Sequence, residues 1–268
     1  MKKIILLLPL VFVVLLSGCV GQAPTKEGVK INTFSYDPTS PVEPGYPVYV
    51  RLELENVGGA LAKGVTADII GINDWTPSTG RLQSIGDLDY KDESRGITQG
   101  GIGYAEWELT PPERQVQIPY DINVRVQYGY STTFEGRVAA QTIDYYRQTG
   151  KKTGLLFQKS TNGPITITVS APNTIISAKK IPIVFTIKNE GSGRVLGDKL
   201  KFTTSTGLSC RIDTVTLSGG KSGTLFCYLS TPLEQSEQYK EYYFSITSVY
   251  NYSTEKTTSI QVLPKLPE

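Results

Sequence analysis

Two tandem antiparallel β-sandwiches are the fold that this sequence predicts. Apolar and polar residues alternate in a succession of short stretches, which is the periodicity of strands with one buried face. These stretches are rich in β-branched and aromatic residues, and none after the N-terminal segment shows sustained helical periodicity. Four blocks of the first half return in the same order in the second half, which indicates two copies of one all-β domain.

The first 18 residues have the pattern of a secretory signal peptide. Lys2 and Lys3 precede an apolar run, residues 4–16, that is too short to span a bilayer as a helix. Leu16-Ser17-Gly18-Cys19 closes the run and resembles the lipobox of secreted lipoproteins, in which cleavage before the cysteine is coupled to acylation of its thiol. The resemblance implies export and a lipid on Cys19 that holds the protein at the outer face of the membrane. An ordinary signal peptide with an incidental cysteine is the alternative.

The composition of the mature chain excludes several functions. Without residues 1–18 the chain keeps 250 residues, enough for two domains, and carries 25 basic and 25 acidic side chains. Because a neutral chain has no long-range field to attract phosphates, nucleic acid is not expected as a partner. The absence of histidine excludes Ser-His-Asp triads and His-Glu-x-x-His zinc sites. We expect no enzymatic activity, no cofactor, no metal and no small-molecule substrate.

The internal repeat sets the expected domain boundaries. An alternating strand at 48–55 ends in Asn56-Val57-Gly58, and a second at 181–188 ends in Asn189-Glu190-Gly191, about 133 residues later. Later in each copy, Tyr128-Gly129-Tyr130 matches Tyr250-Asn251-Tyr252. The predicted organisation is a lipidated tether (19–28), domain 1 (29–146), a connector (147–163), domain 2 (164–263) and a tail (264–268).

These strand-and-turn motifs carry a family resemblance. Leu52-Glu53-Leu54-Glu55-Asn56-Val57-Gly58 and Phe185-Thr186-Ile187-Lys188-Asn189-Glu190-Gly191 resemble the CARDB-type and related immunoglobulin-like modules of archaeal and bacterial surface proteins. Pro44-Gly45 fits the pattern upstream of the first motif, whereas the second copy has Ala178-Lys179 there. The resemblance implies immunoglobulin-like domains that act as extracellular interaction modules.

Two further features concern the connector and the cysteines. The connector contains Leu155-Leu156-Phe157, which we expect to pack between the domains, with an exposed partner site as the alternative. If Cys19 is lipidated, Cys210 and Cys227 remain as an even pair in an oxidising compartment. They are expected to form a structural disulfide that closes a loop of 16 residues and contributes on the order of 3 kcal/mol.

The candidate contact residues are aromatic. Tyrosine combines a large apolar ring with a hydroxyl, which suits the recognition of sugars or proteins. Four tyrosines are expected to cluster at a hairpin end, either for such recognition or for cross-strand packing: Tyr128, Tyr130, Tyr250 and Tyr252. Trp75 is expected in an exposed loop, between Asn73-Asp74 and Thr76-Pro77. Asn251-Tyr252-Ser253 is a glycosylation sequon, so Asn251 is a candidate glycan site at the same hairpin tip.

These observations predict a lipid-anchored, non-enzymatic cell-surface protein for adhesion or envelope assembly. Its expected partners are the membrane, through the lipid on Cys19, and an envelope protein or a glycan. The alternative is a carbohydrate-binding surface lipoprotein. Aromatic residues aligned on one exposed face would favour the sugar binder, and a long exposed apolar edge would favour assembly.

Overall fold

A computed structural model describes residues 26–92, 95–176 and 180–266. The expected signal peptide, the lipidation site Cys19 and most of the tether lie outside the described residues. Antiparallel strands dominate the described chain, which confirms the predicted all-β sandwich class.

The strands and helices follow one another closely along the chain. The strands are β1 (Val29–Asp37), β2 (Val48–Asn56), β3 (Ala62–Ile70), β4 (Thr76–Pro77), β5 (Leu82–Leu88), β6 (Ile102–Thr110), β7 (Ile118–Gln141), β8 (Leu155–Ser160), β9 (Ile165–Ser170), β10 (Lys180–Asn189), β11 (Arg194–Val195), β12 (Lys199–Thr204), β13 (Leu208–Cys210), β14 (Thr214–Thr216), β15 (Ser222–Ser230) and β16 (Tyr239–Val262). The helices are α1 (Ile143–Thr149) and a 3₁₀ helix (Leu196–Asp198).

The strands form three sheets with matching halves. Strands β1-β2-β6-β4 form one four-stranded sheet, and β13-β15-β10-β9 form another. The third sheet has eight strands, with β14-β12-β16-β7-β3-β5 as its main order and β11 and β8 paired to β16 and β7. The strands that match by sequence repeat also match by position, because β1-β2-β6 corresponds to β9-β10-β15.

The longest strands, β7 and β16, join the two halves. They pair antiparallel over 24 residues each, and Gly129 lies opposite Asn251 at the centre. Every second residue of β7 is buried along nearly its whole length, so the inner face of this strand is covered by other side chains. The described strands thus do not form two separate pairs of sheets. The boundaries of the two domains, at residues 146 and 164, stay a prediction.

The core lies between this covered face and the two four-stranded sheets. Trp107 on β6 is fully buried, as the alternation of its strand predicts. In the second half, the Phe134 ring of β7 meets the Phe185 ring of β10 edge-to-face, with 5.5 Å between centroids. The buried side chains form one continuous cluster that includes residues of both halves.

The region predicted as connector contains regular structure. Thr142 caps the start of α1 by accepting a hydrogen bond from the Tyr145 amide, and Gly150 ends it in the left-handed conformation. Strand β8 then pairs antiparallel with residues 134–138 of β7. The expected packing of Leu155-Leu156-Phe157 between domains is wrong for Leu156 and Phe157, because β8 is added at a sheet edge and leaves both side chains exposed.

Candidate functional site: the Phe157–Tyr243 cleft

The four candidate tyrosines are buried rather than exposed at a hairpin end. Tyr128 and Tyr130 lie in the middle of β7, opposite Tyr252 and Tyr250 of β16, and all four side chains are at most 5 % exposed. The expectation of a hairpin end is wrong, because the two-residue alternation continues through Gly129 and a long partner strand completes the ladder. Their rings pack on one another, with centroids 5.8 to 6.4 Å apart. Of the two roles considered for them, the structure shows packing.

The tyrosine hydroxyls hold the turns that follow the Asn-x-Gly motifs. The Ala60 N–H donates to Tyr130 Oη at 3.1 Å, and the Gly193 N–H donates to Tyr252 Oη at 3.0 Å. The side-chain amides of Asn56 and Asn189 donate to the carbonyl oxygens of the same two turn residues, at 2.8 and 2.9 Å. The repeated motif therefore corresponds to a repeated hydrogen-bond arrangement that attaches each turn to the central strands.

Burial controls the ionisation of these tyrosines. Desolvation raises the pKa of Tyr130 to about 12, while the hydrogen bond from the Ala60 backbone opposes the shift. Desolvation also raises the pKa values of Tyr128, Tyr250 and Tyr252. All four hydroxyls are protonated at neutral pH, as their donor and acceptor roles require.

Trp75 is also buried, at 3 % exposure, which corrects its placement in an exposed loop. Its ring packs edge-to-face on Tyr120, with 5.6 Å between centroids. Turn residues flank it, but the loop folds the indole onto β7 because the ring carries a large apolar area. A sugar-binding hypothesis based on Trp75 has no support in this arrangement.

Asn251 is exposed, but it lies at the centre of β16 rather than at a hairpin tip. Asn251 lies there because of the long pairing of β7 with β16, which also buries the neighbouring tyrosines. Glycosylation of Asn251 stays a prediction.

The predicted disulfide between Cys210 and Cys227 is confirmed. The two residues are direct cross-strand partners of β13 and β15. The bond fastens the short edge strand β13 to the middle of its sheet.

A cleft on the outer face of the central sheet has the geometry of a binding site. We call it the Phe157–Tyr243 cleft; its volume is about 360 Å³. It is lined by Glu135, Gly136, Phe157, Ser205, Tyr243, Phe244 and Ser245.

The strand register places the aromatic side chains of the cleft. Phe157 of β8 lies opposite Arg137 of β7, which in turn lies opposite Tyr243 of β16. Directly opposed residues project from the same face of a sheet, so the three side chains form a row across three strands. Phe157 is 43 % exposed and Tyr243 is 70 % exposed, which leaves two large rings in contact with solvent.

Charged groups accompany the two rings. Arg137 donates to Glu241 at 2.9 Å and to the Tyr243 hydroxyl at 3.3 Å, and its guanidinium lies 5.7 Å from the centre of the Tyr243 ring. The hydrogen bond to Tyr243, together with the charge of Glu241, raises the pKa of Arg137, so the guanidinium stays charged. Glu135 is exposed, and within the residues that the structure describes its carboxylate has no hydrogen-bond or ion-pair partner.

Sequence reasoning identified only one part of this cleft. Leu155-Leu156-Phe157 was recognisable as an apolar triplet, and exposure was its less favoured interpretation. Tyr243 stands in an ordinary alternating strand, and nothing local shows which strand will lie beside it. Only the pairing of β8, β7 and β16 places Phe157 and Tyr243 in one row, on either side of Arg137.

Other classes of site are missing from the described chain. No helix within residues 26–92, 95–176 and 180–266 has both the length and the apolar character needed to cross a membrane. The same residues contain no group of three or more acidic or cysteine side chains arranged to hold a metal ion.

Comparison with solved structures yields distant likenesses. Neither a protein family nor a curated protein matches the sequence. Among solved structures, the chain is similar to Escherichia coli alpha-2-macroglobulin activated by porcine elastase, with a TM-score of 0.23 and 11 % identity over 89 % of this chain and 33 % of that one. It is also similar to the native conformation of the Escherichia coli protein, with a TM-score of 0.16 and 12 % identity over 89 % of this chain and 17 % of that one. A third similar structure is Salmonella alpha-2-macroglobulin reacted with methylamine, with a TM-score of 0.16 and 10 % identity over 89 % of this chain and 16 % of that one.

The chain therefore spans a third or less of the length of these proteins. At these TM-scores the likeness carries no conclusion about function.

Proposed function

We propose that this chain is a lipid-anchored, non-enzymatic cell-surface protein that binds a partner in adhesion or in assembly of the envelope. The proposal includes acylation of Cys19 and the CARDB-type, immunoglobulin-like character of the two repeats. The lipobox pattern at residues 16–19 supports export and anchoring. The disulfide between Cys210 and Cys227 supports an oxidising compartment, since such bonds persist outside the cytosol.

The observation that carries the binding role is the Phe157–Tyr243 cleft. Its two large rings are exposed on the outer face of the central sheet, whereas the inner-face side chains of β7 in the same sheet are buried in the core. Exposed aromatic residues that the core does not need are typical of interaction sites.

Anchoring is tested by fractionating cells that make the full chain or its Cys19→Ser variant. We expect the unchanged chain in the membrane fraction after a high-salt wash and labelled by a radioactive fatty acid, and the variant without label, because serine cannot carry the thioether-linked lipid. A Cys210→Ser/Cys227→Ser variant is the control for the removal of cysteines other than Cys19, and it should remain in the membrane fraction. Equal fatty-acid labelling of Cys19→Ser would contradict the lipid anchor.

The partner is sought by affinity purification of the anchored protein from gently solubilised membranes. A stoichiometric protein partner that is retained by the unchanged chain and lost with Tyr243→Ala would support envelope assembly through the cleft. Recovery of the chain without any protein would contradict that role.

Carbohydrate binding is the second candidate function. The specific observation in its favour is that Phe157 and Tyr243 lie in one row on one exposed face. Aromatic rings so arranged are suited to the apolar faces of sugar rings.

A further inference from the structure

The two halves of the central sheet allow an internal comparison. Strand β16 repeats β7 with an offset of 122 residues, because Tyr250 and Tyr252 match Tyr128 and Tyr130. In the antiparallel pairing, Gly129 lies opposite Asn251, which is its own counterpart in the repeat. The two strands are therefore related by an approximate two-fold axis through that central pair. The cleft residues that lie on β7 and β16 therefore have counterparts at the other end of the sheet.

The buried positions are alike in the two halves. Ile122 corresponds to Phe244 and Val124 to Ile246, and all four side chains are buried. The tyrosines near the axis are likewise repeated and buried. The fold thus uses the same kind of side chain on the inner face at both ends of the sheet.

The outer positions differ. The counterpart of Tyr243 is Asp121, and the counterpart of Glu135 is Thr257. The position that corresponds to Arg137 is Ser259, and all three counterparts are exposed. The second end of the sheet therefore folds with a polar outer face and no aromatic row. The sandwich itself does not require an exposed aromatic ring at the position of Tyr243, so a role outside the fold accounts for it better.

We propose that the Phe157–Tyr243 cleft binds a short segment of a neutral saccharide. A sugar ring has an apolar C–H face and a rim of hydroxyl groups. The exposed rings of Phe157 and Tyr243 fit the apolar face, and the Ser205 and Ser245 hydroxyls of the cleft can exchange hydrogen bonds with the rim. A volume of about 360 Å³ lies near the lower end of ligand pockets, about 300 to 1,000 Å³, which suits a short segment.

The charges of the cleft favour a neutral ligand. The charge of Arg137 is balanced by Glu241, since Arg137 Nη1 donates to that carboxylate and to the Tyr243 hydroxyl. Glu135 lies opposite Lys159 of β8, and its carboxylate, which makes no hydrogen bond within the described residues, can accept hydrogen bonds from sugar hydroxyls. Two basic side chains, Arg137 and Lys159, thus balance two acidic ones, Glu135 and Glu241, so the cleft has no net charge with which to attract a charged polymer. The inference rests on the second candidate function and assigns it a site.

The test is isothermal titration calorimetry of the full chain, purified in detergent, with hexasaccharides of glucose, mannose, galactose and N-acetylglucosamine. We expect at least one of them to bind. Tyr243→Ala and Phe157→Ala should each weaken that binding about tenfold or more, since aromatic anchors dominate small interfaces. Glu135→Gln should weaken it less, because an amide still accepts hydrogen bonds.

Tyr104→Ala is the matched control. Tyr104 is 67 % exposed, similar to Tyr243, but lies on the outer face of a different sheet. It should leave saccharide affinity unchanged, and all variants should keep the thermal midpoint of the unchanged chain. Absence of binding to all four hexasaccharides would overturn the proposal, and so would affinity that is insensitive to Tyr243→Ala and Phe157→Ala.

The outcome is independent of the test of envelope assembly. If no saccharide binds while the membrane-anchored chain retains a protein partner, the saccharide site is wrong and the assembly role stands. Membrane fractionation of Tyr243→Ala should match the unchanged chain in either case, because the cleft lies far along the sequence from Cys19.

Discussion

At the scale of single residues, the Asn-x-Gly motif is explained by the tyrosine that faces it. A Cβ atom at Gly58 would overlap the Tyr130 hydroxyl oxygen, and one at Gly191 would lie 2.5 Å from the Tyr252 hydroxyl oxygen. Glycine is needed at both positions for the close approach of these hydroxyls rather than for an unusual backbone angle. The glycine of each motif and the distant tyrosine therefore depend on each other for their packing.

The close contact between these glycines and tyrosines predicts which substitutions lower the free energy of unfolding. We expect Gly58→Ala to lower the free energy of unfolding by about 1 to 3 kcal/mol, because the new methyl group displaces the buried Tyr130 ring. Gly80→Ala is the matched control and should change little, since the nearest atom to its Cβ would be 3.8 Å away. Urea denaturation of each variant measures the effect. Addition of Tyr130→Phe to Gly58→Ala should recover part of the loss, and a purely additive double variant would contradict the assigned overlap.

The buried tyrosines also predict a loss of stability in alkali. Burial raises the pKa of Tyr130 to about 12 from an ordinary value of 10.0, so the unfolded chain releases this proton at lower pH than the folded chain does. The contribution is fully present below about pH 10 and is lost as the pH rises towards about 12. We expect the free energy of unfolding, measured in urea, to fall over that interval and to fall less steeply in Tyr130→Phe. Equal slopes in the two proteins would contradict this.

At the scale of elements, the disulfide compensates for a short edge strand. Strand β13 has three residues and pairs only along β15, so few backbone hydrogen bonds hold it. Closing the 16-residue loop between Cys210 and Cys227 removes conformational freedom from the unfolded chain.

We therefore expect Cys210→Ala/Cys227→Ala to lower the free energy of unfolding by on the order of 3 kcal/mol. Urea denaturation measures the shift. A reducing agent should produce a similar shift in the unchanged chain and none in the double variant. A reducing agent that leaves the unchanged chain unaffected would contradict a stabilising role.

At the scale of the whole molecule, the pairing of β7 with β16 is the dominant feature. It runs through 24 residue pairs and places tyrosines of both repeats in one aromatic cluster. Separation of the two halves would expose the edges of both strands and these buried rings. The halves are therefore expected to depend on each other for stability.

This arrangement predicts one cooperative unfolding transition for the described chain. We expect Trp107→Ala in the first half and Phe185→Ala in the second to shift the same calorimetric peak, each by about 3 to 5 kcal/mol of destabilisation. Both side chains are fully buried, so the two variants are matched in kind. Two peaks, of which each variant shifts only one, would show that the halves unfold independently.

The sequence by itself determined the all-β class, the repeat, the buried strand faces and the disulfide, because each depends on a local period or on the count of cysteines. It left recognition and cross-strand packing both open for the four tyrosines, and it placed Phe157 between the domains, whereas the Phe157 side chain is exposed. Burial of Tyr128 depends on which strand lies opposite, and exposure of Phe157 depends on the position of β8 at a sheet edge. Only the tertiary structure decided these points, because pairing between residues more than 80 positions apart in sequence, such as Tyr128 opposite Tyr252, leaves no local pattern.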